Sequence, residues 1–141
     1  MANIIPFAFR GELFSGTHNF ANGGNSFKIA LYTGNPYSTS STAYLTGQEV
    51  SASNTGYTTG GKVLASQAVA SGTAVASVDF ADSALTSATF TAAFAAIYND
   101  TNSDKLCVVL DFGGNKTATN GTFTISFPDP STPANAIISM A

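Results

Sequence analysis

Near the end of the chain, TFTISF (122–127) alternates without a fault. Phe123, Ile125 and Phe127 fall on one side, Thr122, Thr124 and Ser126 on the other. Side chains repeat every two residues only along an extended chain, so the segment is a strand with one face in a core and one in water. An isolated hairpin is marginal in water, so this strand needs partners, and the chain offers them. FKIALYT (27–33) sets Phe27, Ile29 and Leu31 against Lys28, Ala30 and Tyr32. Short strands are expected around Val50 and Val63, punctuated by Gly60-Gly61. TAVASVDF (73–80) places Ala74, Ala76, Val78 and Phe80 on one face, and LCVVLDF (106–112) is an apolar run of buried-strand type. ANAIISMA (134–141) finishes as a last strand after the Pro-rich turn PDPSTP (128–133).

FTAAFAAIY (90–98) is the ambiguous stretch. Its alanines favour a helix on propensity. Phe90, Phe94 and Tyr98, four residues apart, share a face in either a helix or a strand. Nine residues make a short helix, and no capping box precedes them. The polar NDTNSDK and then LCVVLDF follow, so strand, turn and strand form a hairpin pairing 88–98 with 106–112. Ala92 and Ala96 then act as spacers between the rings of Phe90, Phe94 and Tyr98. Ala93 and Ala95 suit a close approach on the opposite face.

Seven or eight short strands joined by turns predict an all-β, single-domain antiparallel β-sandwich or jelly-roll-like fold over residues 27–141. Residues 1–26 differ: Phe9, Leu13 and Phe14 stand at helical spacing and Gly16 can end that helix, which gives an N-terminal arm and short helix. GNPYSTSSTAYLTG (34–47) reads as a long surface loop, a class often functional.

At 141 residues the chain has the length of one domain. Charged residues make up 9%, against about 25% in ordinary globular proteins, and net charge is -3. No basic patch exists for nucleic acid. No apolar stretch approaches the 18 residues of a membrane helix, and the N-terminus has no secretory pattern. Repulsion between copies is weak, so neighbours can cover this surface; equally, Thr/Ser/Asn-rich β-proteins are simply poor in charge.

Candidate chemistry is sparse. Cys107, the single cysteine, excludes an internal disulfide and lies in an apolar run that should leave its thiol inert. His18 is the only imidazole and has no Cys, Asp or Glu at a metal-ligand spacing, so it reads as a residue of the helix end. Glu12, Glu49, Asp79, Asp82, Asp100, Asp104, Asp111 and Asp129 are scattered, most at turns. NDTNSD lacks the calcium-loop spacing. DFGG (111–114) is an Asp at a strand end followed by a turn, and Gly pairs at 23–24, 60–61 and 113–114 match no phosphate loop. The sequons at Asn99, Asn115 and Asn120 are expected by chance in such a composition. Tyr32, Tyr37, Tyr44 and Tyr57 cluster around the long loop, where they could stack on sugar, anchor an interface, or form an unliganded rim. No catalytic, cofactor-binding or metal residue is assigned.

An ordered set of motifs resembles a known family. FKIALYTG, GYTTGG, FTA, IYN, DFGG and GTFTISFP, spread over residues 9–138, look like small virion structural proteins of tailed bacteriophages, the head decoration or cement type. Members often carry a Trp shortly before F-T-A; this chain has none, and Leu85 stands in that region. The resemblance implies a protein without enzymatic activity or cofactor, made in the bacterial cytoplasm and held on the capsid surface. It implies the major capsid protein as partner and self-association, as a homotrimer or a dimer. The apolar arm IIPFAF would make inter-subunit contacts or fold back on its own sheet. The alternative is a tail-fibre or tailspike-associated β domain that binds a host surface glycan through the Tyr-rich loop.

Overall fold

In a computed structural model, which describes residues 3–128 and 136–140, one helix and seven strands form two antiparallel sheets. The helix is α1 (Phe7–Phe14). The strands are β1 (Phe27–Tyr32), β2 (Lys62–Val63), β3 (Ala68–Ser71), β4 (Ala76–Asp79), β5 (Ser83–Asn99), β6 (Lys105–Ile125) and β7 (Ile138–Met140). One sheet runs β2-β1-β5-β6, the other β3-β4-β7. Outside the described residues lie Met1 and Ala2 of the arm, residues 129–133 of the Pro-rich turn with Asp129, and Ala134, Asn135 and Ala141 of the expected last strand.

The all-β expectation holds, with a short N-terminal helix. α1 ends where Gly16 (φ 73°) takes the left-handed conformation. The Gly16 and Thr17 amides donate back to the carbonyls of Leu13 (3.3 Å) and Glu12 (3.0 Å), satisfying the last turn. Of the three apolar residues at helical spacing, only Phe9 is fully buried; Leu13 is half-buried and Phe14 is 88% exposed.

The ambiguous alanine stretch is a strand, as period and context predict, but a far longer one. β5 and β6 form a single hairpin closed by residues 100–104, where Ser103 and Asp104 take positive φ. LCVVLDF and TFTI are therefore parts of one 21-residue strand, not two strands. DFGG does not turn the chain. Ala92 pairs with Lys116 and Phe94 with Asp111, so the single residue Ala93 of β5 opposes four residues of β6, 112–115. The surplus is a bulge in which Gly113 and Gly114 adopt positive φ and Asp111 Oδ1 accepts from the Gly113 amide at 2.8 Å.

These irregularities change faces. Phe90 and Ala92 point into the main core, together with Ala95 and Ile97. Phe94, Ala96 and Tyr98 point to the opposite side of the sheet. The expected common face of Phe90, Phe94 and Tyr98 is thus broken at the bulge, because an extra residue shifts the period of two by one. Ala96 still spaces rings, lying between Phe94 and Tyr98 with Ala30 paired beside it.

The main core draws Phe27, Ile29, Leu31, Leu85, Phe90 and Phe123 from the larger sheet, Val78 and Ile138 from the smaller, and Phe9 from α1. Phe20 stacks on Phe27 at 4.3 Å and Phe80 meets both rings edge-on. In β4 the expected inward face is kept by Val78, followed by Phe80, while Ala74 and Ala76 are exposed. Val50 is buried but lies outside any strand, its amide bonded to the Leu31 carbonyl at 2.9 Å.

The larger sheet is covered on its second side too. Tyr37 and Tyr44, from the segment after β1, pack over it, while Val50 and Tyr57 of the same segment reach the main core, and from Asn3 onward the arm lies along its own β6. Ile4 and Val109 exchange two backbone hydrogen bonds of 2.9 Å, and the Asp111 amide donates to Asn3 Oδ1 at 2.8 Å. Ile4 joins the outer cluster while Ile5 packs against the main core, the alternation of an edge strand.

Candidate functional site: a buried polar clasp, a tyrosine cage and an open apolar face

Three places concentrate side chains that could carry function. The first surrounds His18. Its ring is buried between Phe9 (5.0 Å between centroids) and Phe20 (6.1 Å). Nε2 lies 2.7 Å from Glu12 Oε2, and Nδ1 lies 3.0 Å from Asn99 Nδ2. A carboxylate accepts and an amide nitrogen donates, so these partners select the Nε2–H tautomer. Glu12 also takes an ion pair from Lys105 at 2.9 Å. Asn99 Nδ2 reaches Asn25 Oδ1 at 3.1 Å, and the Asn102 side chain donates to the Thr17 carbonyl at 2.5 Å. The result clasps α1 and the segment after it to the tip of the β5–β6 hairpin. Burial pulls the Glu12 carboxyl upward, but the bonds from His18 and Lys105 outweigh it and hold the pKa below the ordinary 4.5.

Cys107 Sγ stands 3.7 Å from His18 Nδ1, so a thiol, an imidazole and a carboxylate meet that no local spacing announced. The chemistry is not that of an activated nucleophile. The thiol is fully buried, and burial, with the Glu12 charge adding to it, pushes its pKa well up. The expected result with a water-soluble disulfide reagent is no modification of folded protein and one thiol per chain after denaturation; prompt labelling under native conditions would show an accessible thiolate.

The second place lies under the long loop. Glu49 receives Tyr44 Oη (2.5 Å), Tyr57 Oη (2.6 Å) and the Gly60 amide (2.8 Å). Tyr57 Oη also accepts from the Leu31 amide at 3.0 Å, tying the loop to β1. Tyr32 donates to the Leu45 carbonyl at 2.7 Å, so its 2.6 Å contact with Tyr37 needs Tyr37 as donor, and Tyr37 in turn accepts from the Leu45 amide at 3.0 Å. Tyr98 Oη donates to the Gly60 carbonyl and its ring stacks on Tyr44 at 4.7 Å.

Tyr32, Tyr37 and Tyr57 are buried and Tyr44 is half-buried, so the cluster is an internal cage, not an exposed rim for sugar or protein. Tyr37 and Tyr44 are accommodated because β1 and β5 present the small Ala30 and Ala96 on that side of the sheet, while the Tyr57 ring packs edge-on to Phe90 in the main core. Burial raises the pKa of all five tyrosines, with the Glu49 charge adding to it in every one. The protonated form is favoured in the fold, so their contribution is complete below the ordinary 10.0 and is lost as pH climbs above it. A tyrosinate absorbance titration should show no ionisation near pH 10 until the chain unfolds; one tyrosine titrating there reversibly would contradict the cage.

Two further acids serve lysine and backbone. Asp100 pairs with Lys28 at 3.0 Å, and Asp82 Oδ1 accepts from the Phe127 amide at 2.8 Å. Among the described residues no group of three or more His, Cys, Asp or Glu could hold a metal ion. Asn99, one of the sequons, is buried with its amide fully engaged, whereas Asn115 and Asn120 are exposed. Among the described residues no helix is long and apolar enough to cross a membrane.

The third place is an apolar face that α1 and the smaller sheet leave open. Phe7, Phe14, Val69 and Met140 all stand more than half in water on or near it. A cavity of about 330 Å3 opens among Phe9, Leu13, Phe14, Ile138 and Met140, and another of about 370 Å3 among Leu13, His18, Phe20, Val69, Val78 and Met140. The sequence held one sign of this face. α1 carries Phe7, Phe9, Leu13 and Phe14 in eight residues, more apolar surface than one buried stripe can hold. Comparison with protein families, with curated proteins and with solved structures finds no match to this chain.

Proposed function

We propose that this chain is a structural protein of a tailed-bacteriophage virion that decorates the head, binding the major capsid protein from outside and acting by contact, not catalysis. The reading begins from the motif set that resembles decoration proteins, and one observation of the molecule supports it further. The polar side chains grouped in the clasp and the cage are spent on internal bonds, while the outward resource is an apolar, weakly charged face. Such a face suits burial against protein. The long hairpin and the clasped helix supply the rigidity that a lattice clamp needs.

The glycan-binding alternative depended on tyrosines displayed by the loop, and those rings face inward. The test is co-sedimentation of purified protein with emptied heads. Saturable binding at a fixed ratio to the capsid protein is expected, with tails left bare. Binding to host cells or their surface glycan, with none to heads, would overturn the proposal.

A further inference from the structure

The apolar face carries more than a general affinity for protein. We propose that in the free protein α1 and β7 form a two-fold self-association surface, the same face that the head-bound protein would turn to the capsid, anchored by Phe14 of each copy seated in the trough of the other. Phe7 and Phe14 are seven residues apart, two helical turns, so they share the outward stripe of α1 with Arg10 and Gly11. Phe9 and Leu13 face inward. The two cavities beside Phe14 share Leu13, Ile138, Ser139 and Met140, which makes them one trough between the helix and β7.

Three observations point to a second copy as the occupant. A projecting ring and a recess sit side by side on one face, the self-complementary layout that a two-fold contact requires. A cavity of ~150 Å3 already accepts benzene, so either part of the trough takes a phenyl ring. Next, Gly11 sits in the helix interior, where glycine is unfavourable relative to alanine. A Cβ there would meet nothing within 4 Å, so no contact inside this chain requires its absence. Between Phe7 and Phe14 it leaves a notch through which a second backbone can approach.

Finally, the area is in range. At ~200 Å2 per buried aromatic, the two rings leave about 300 Å2 in water on each copy, or about 600 Å2 for a pair. Met140, Val69 and the trough walls extend this toward the ~1,000 Å2 of a specific interface. Arg10 is the one charge on the stripe. Its guanidinium is held over the Phe7 ring at 5.3 Å and bonds the Ile5 carbonyl at 3.3 Å, so its position is fixed from within the chain while it forms part of the wall of the cavity beside Phe14.

Sedimentation velocity across a concentration series tests this on the isolated protein, and so it fails or succeeds independently of binding to heads. The wild type should show a monomer–dimer equilibrium. Phe14→Asp should weaken the dimer by about 30-fold or more, the scale of a hot-spot anchor, with an unchanged circular dichroism spectrum because Phe14 is exposed. Gly11→Gln should move two readouts in opposite directions, raising the thermal midpoint through helix propensity while weakening the dimer about tenfold. A chain that stays monomeric, a trimer, or a dimer indifferent to Phe14→Asp overturns the proposal. So does binding to phosphatidylcholine vesicles that Phe14→Asp abolishes in a monomeric protein, which would assign the face to a lipid surface.

Discussion

Glu49→Ala is expected to destabilise the fold by about 4 kcal/mol, the sum of a lost charge-assisted set and the donors it strands. Tyr44 Oη, Tyr57 Oη and the Gly60 amide all end on this one carboxylate. Tyr57 and the Gly60 amide sit where water does not easily replace it, since Tyr57 is buried and Tyr98 covers Gly60 through its own bond. At roughly 3 °C per kcal/mol for a chain of this size, the thermal midpoint should fall by about 12 °C. Glu49→Gln should recover part of the loss. With its oxygen at the Oε1 position it keeps Tyr57 Oη and the Gly60 amide, and its NH2 group donates to the Tyr44 hydroxyl, but the charge that strengthens all three bonds is gone. Hydrogen exchange should quicken first across residues 33–61, ahead of the β5–β6 hairpin. A midpoint within about 3 °C of the wild type would mean that the loop is held by packing alone and that the cage contributes little.

His18→Ala should cost about 3 kcal/mol, for two reasons that add. It opens a cavity between Phe9 and Phe20, and it removes the donor to Glu12 together with the acceptor for Asn99. The damage should be local at first, with faster exchange at residues 7–20 while β5 and β6 stay protected. The clasp also predicts an acid limb. Glu12 has a lowered folded pKa, so its contribution is present above the ordinary 4.5 and disappears as pH falls through the folded value. Glu12→Gln should therefore flatten stability against pH below about 4.5, relative to the wild type. An unchanged acid limb in that variant would assign the limb to other carboxylates. A uniform loss of protection in His18→Ala would show that α1 and the sheets unfold as one unit.

Much of the architecture was legible in the order of residues. β1 and the strand identity of the alanine stretch follow from a period of two, and the turn at 100–104 follows from its polar run. The helix end at Gly16 follows from the need for a left-handed residue there. Where sequence reasoning erred about faces, a backbone irregularity inside a strand was responsible. Ser87 and Asn120 take positive φ inside strands; Ser87 has no glycine beside it, and Asn120-Gly121, a pair that usually turns a hairpin, sits within β6 without reversing the chain. Each accompanies a register shift between β5 and β6, and with the bulge at 112–115 they decide which side chains face the core. A strict alternation carried across such points assigns faces to the wrong side from there on.

The site divides in the same way. That His18 and Cys107 lack local partners is a correct statement about neighbours in sequence. Their partners stand 6, 81 and 89 residues away from His18, at Glu12, Asn99 and Cys107. Tyrosines beside a hydroxyl-rich loop look exposed on composition, but Tyr37 and Tyr44 pack over the small Ala30 and Ala96 and Tyr57 enters the main core.

By itself, then, the sequence determined that this chain is a weakly charged β-protein with a capped N-terminal helix, because periodicity, turn chemistry and composition are local properties. The tertiary structure alone decided which faces are buried, which acids meet the histidine, and that Phe14 is left in water. Those outcomes depend on strand register and on what packs above each residue, and both are set by contacts between segments far apart in the chain.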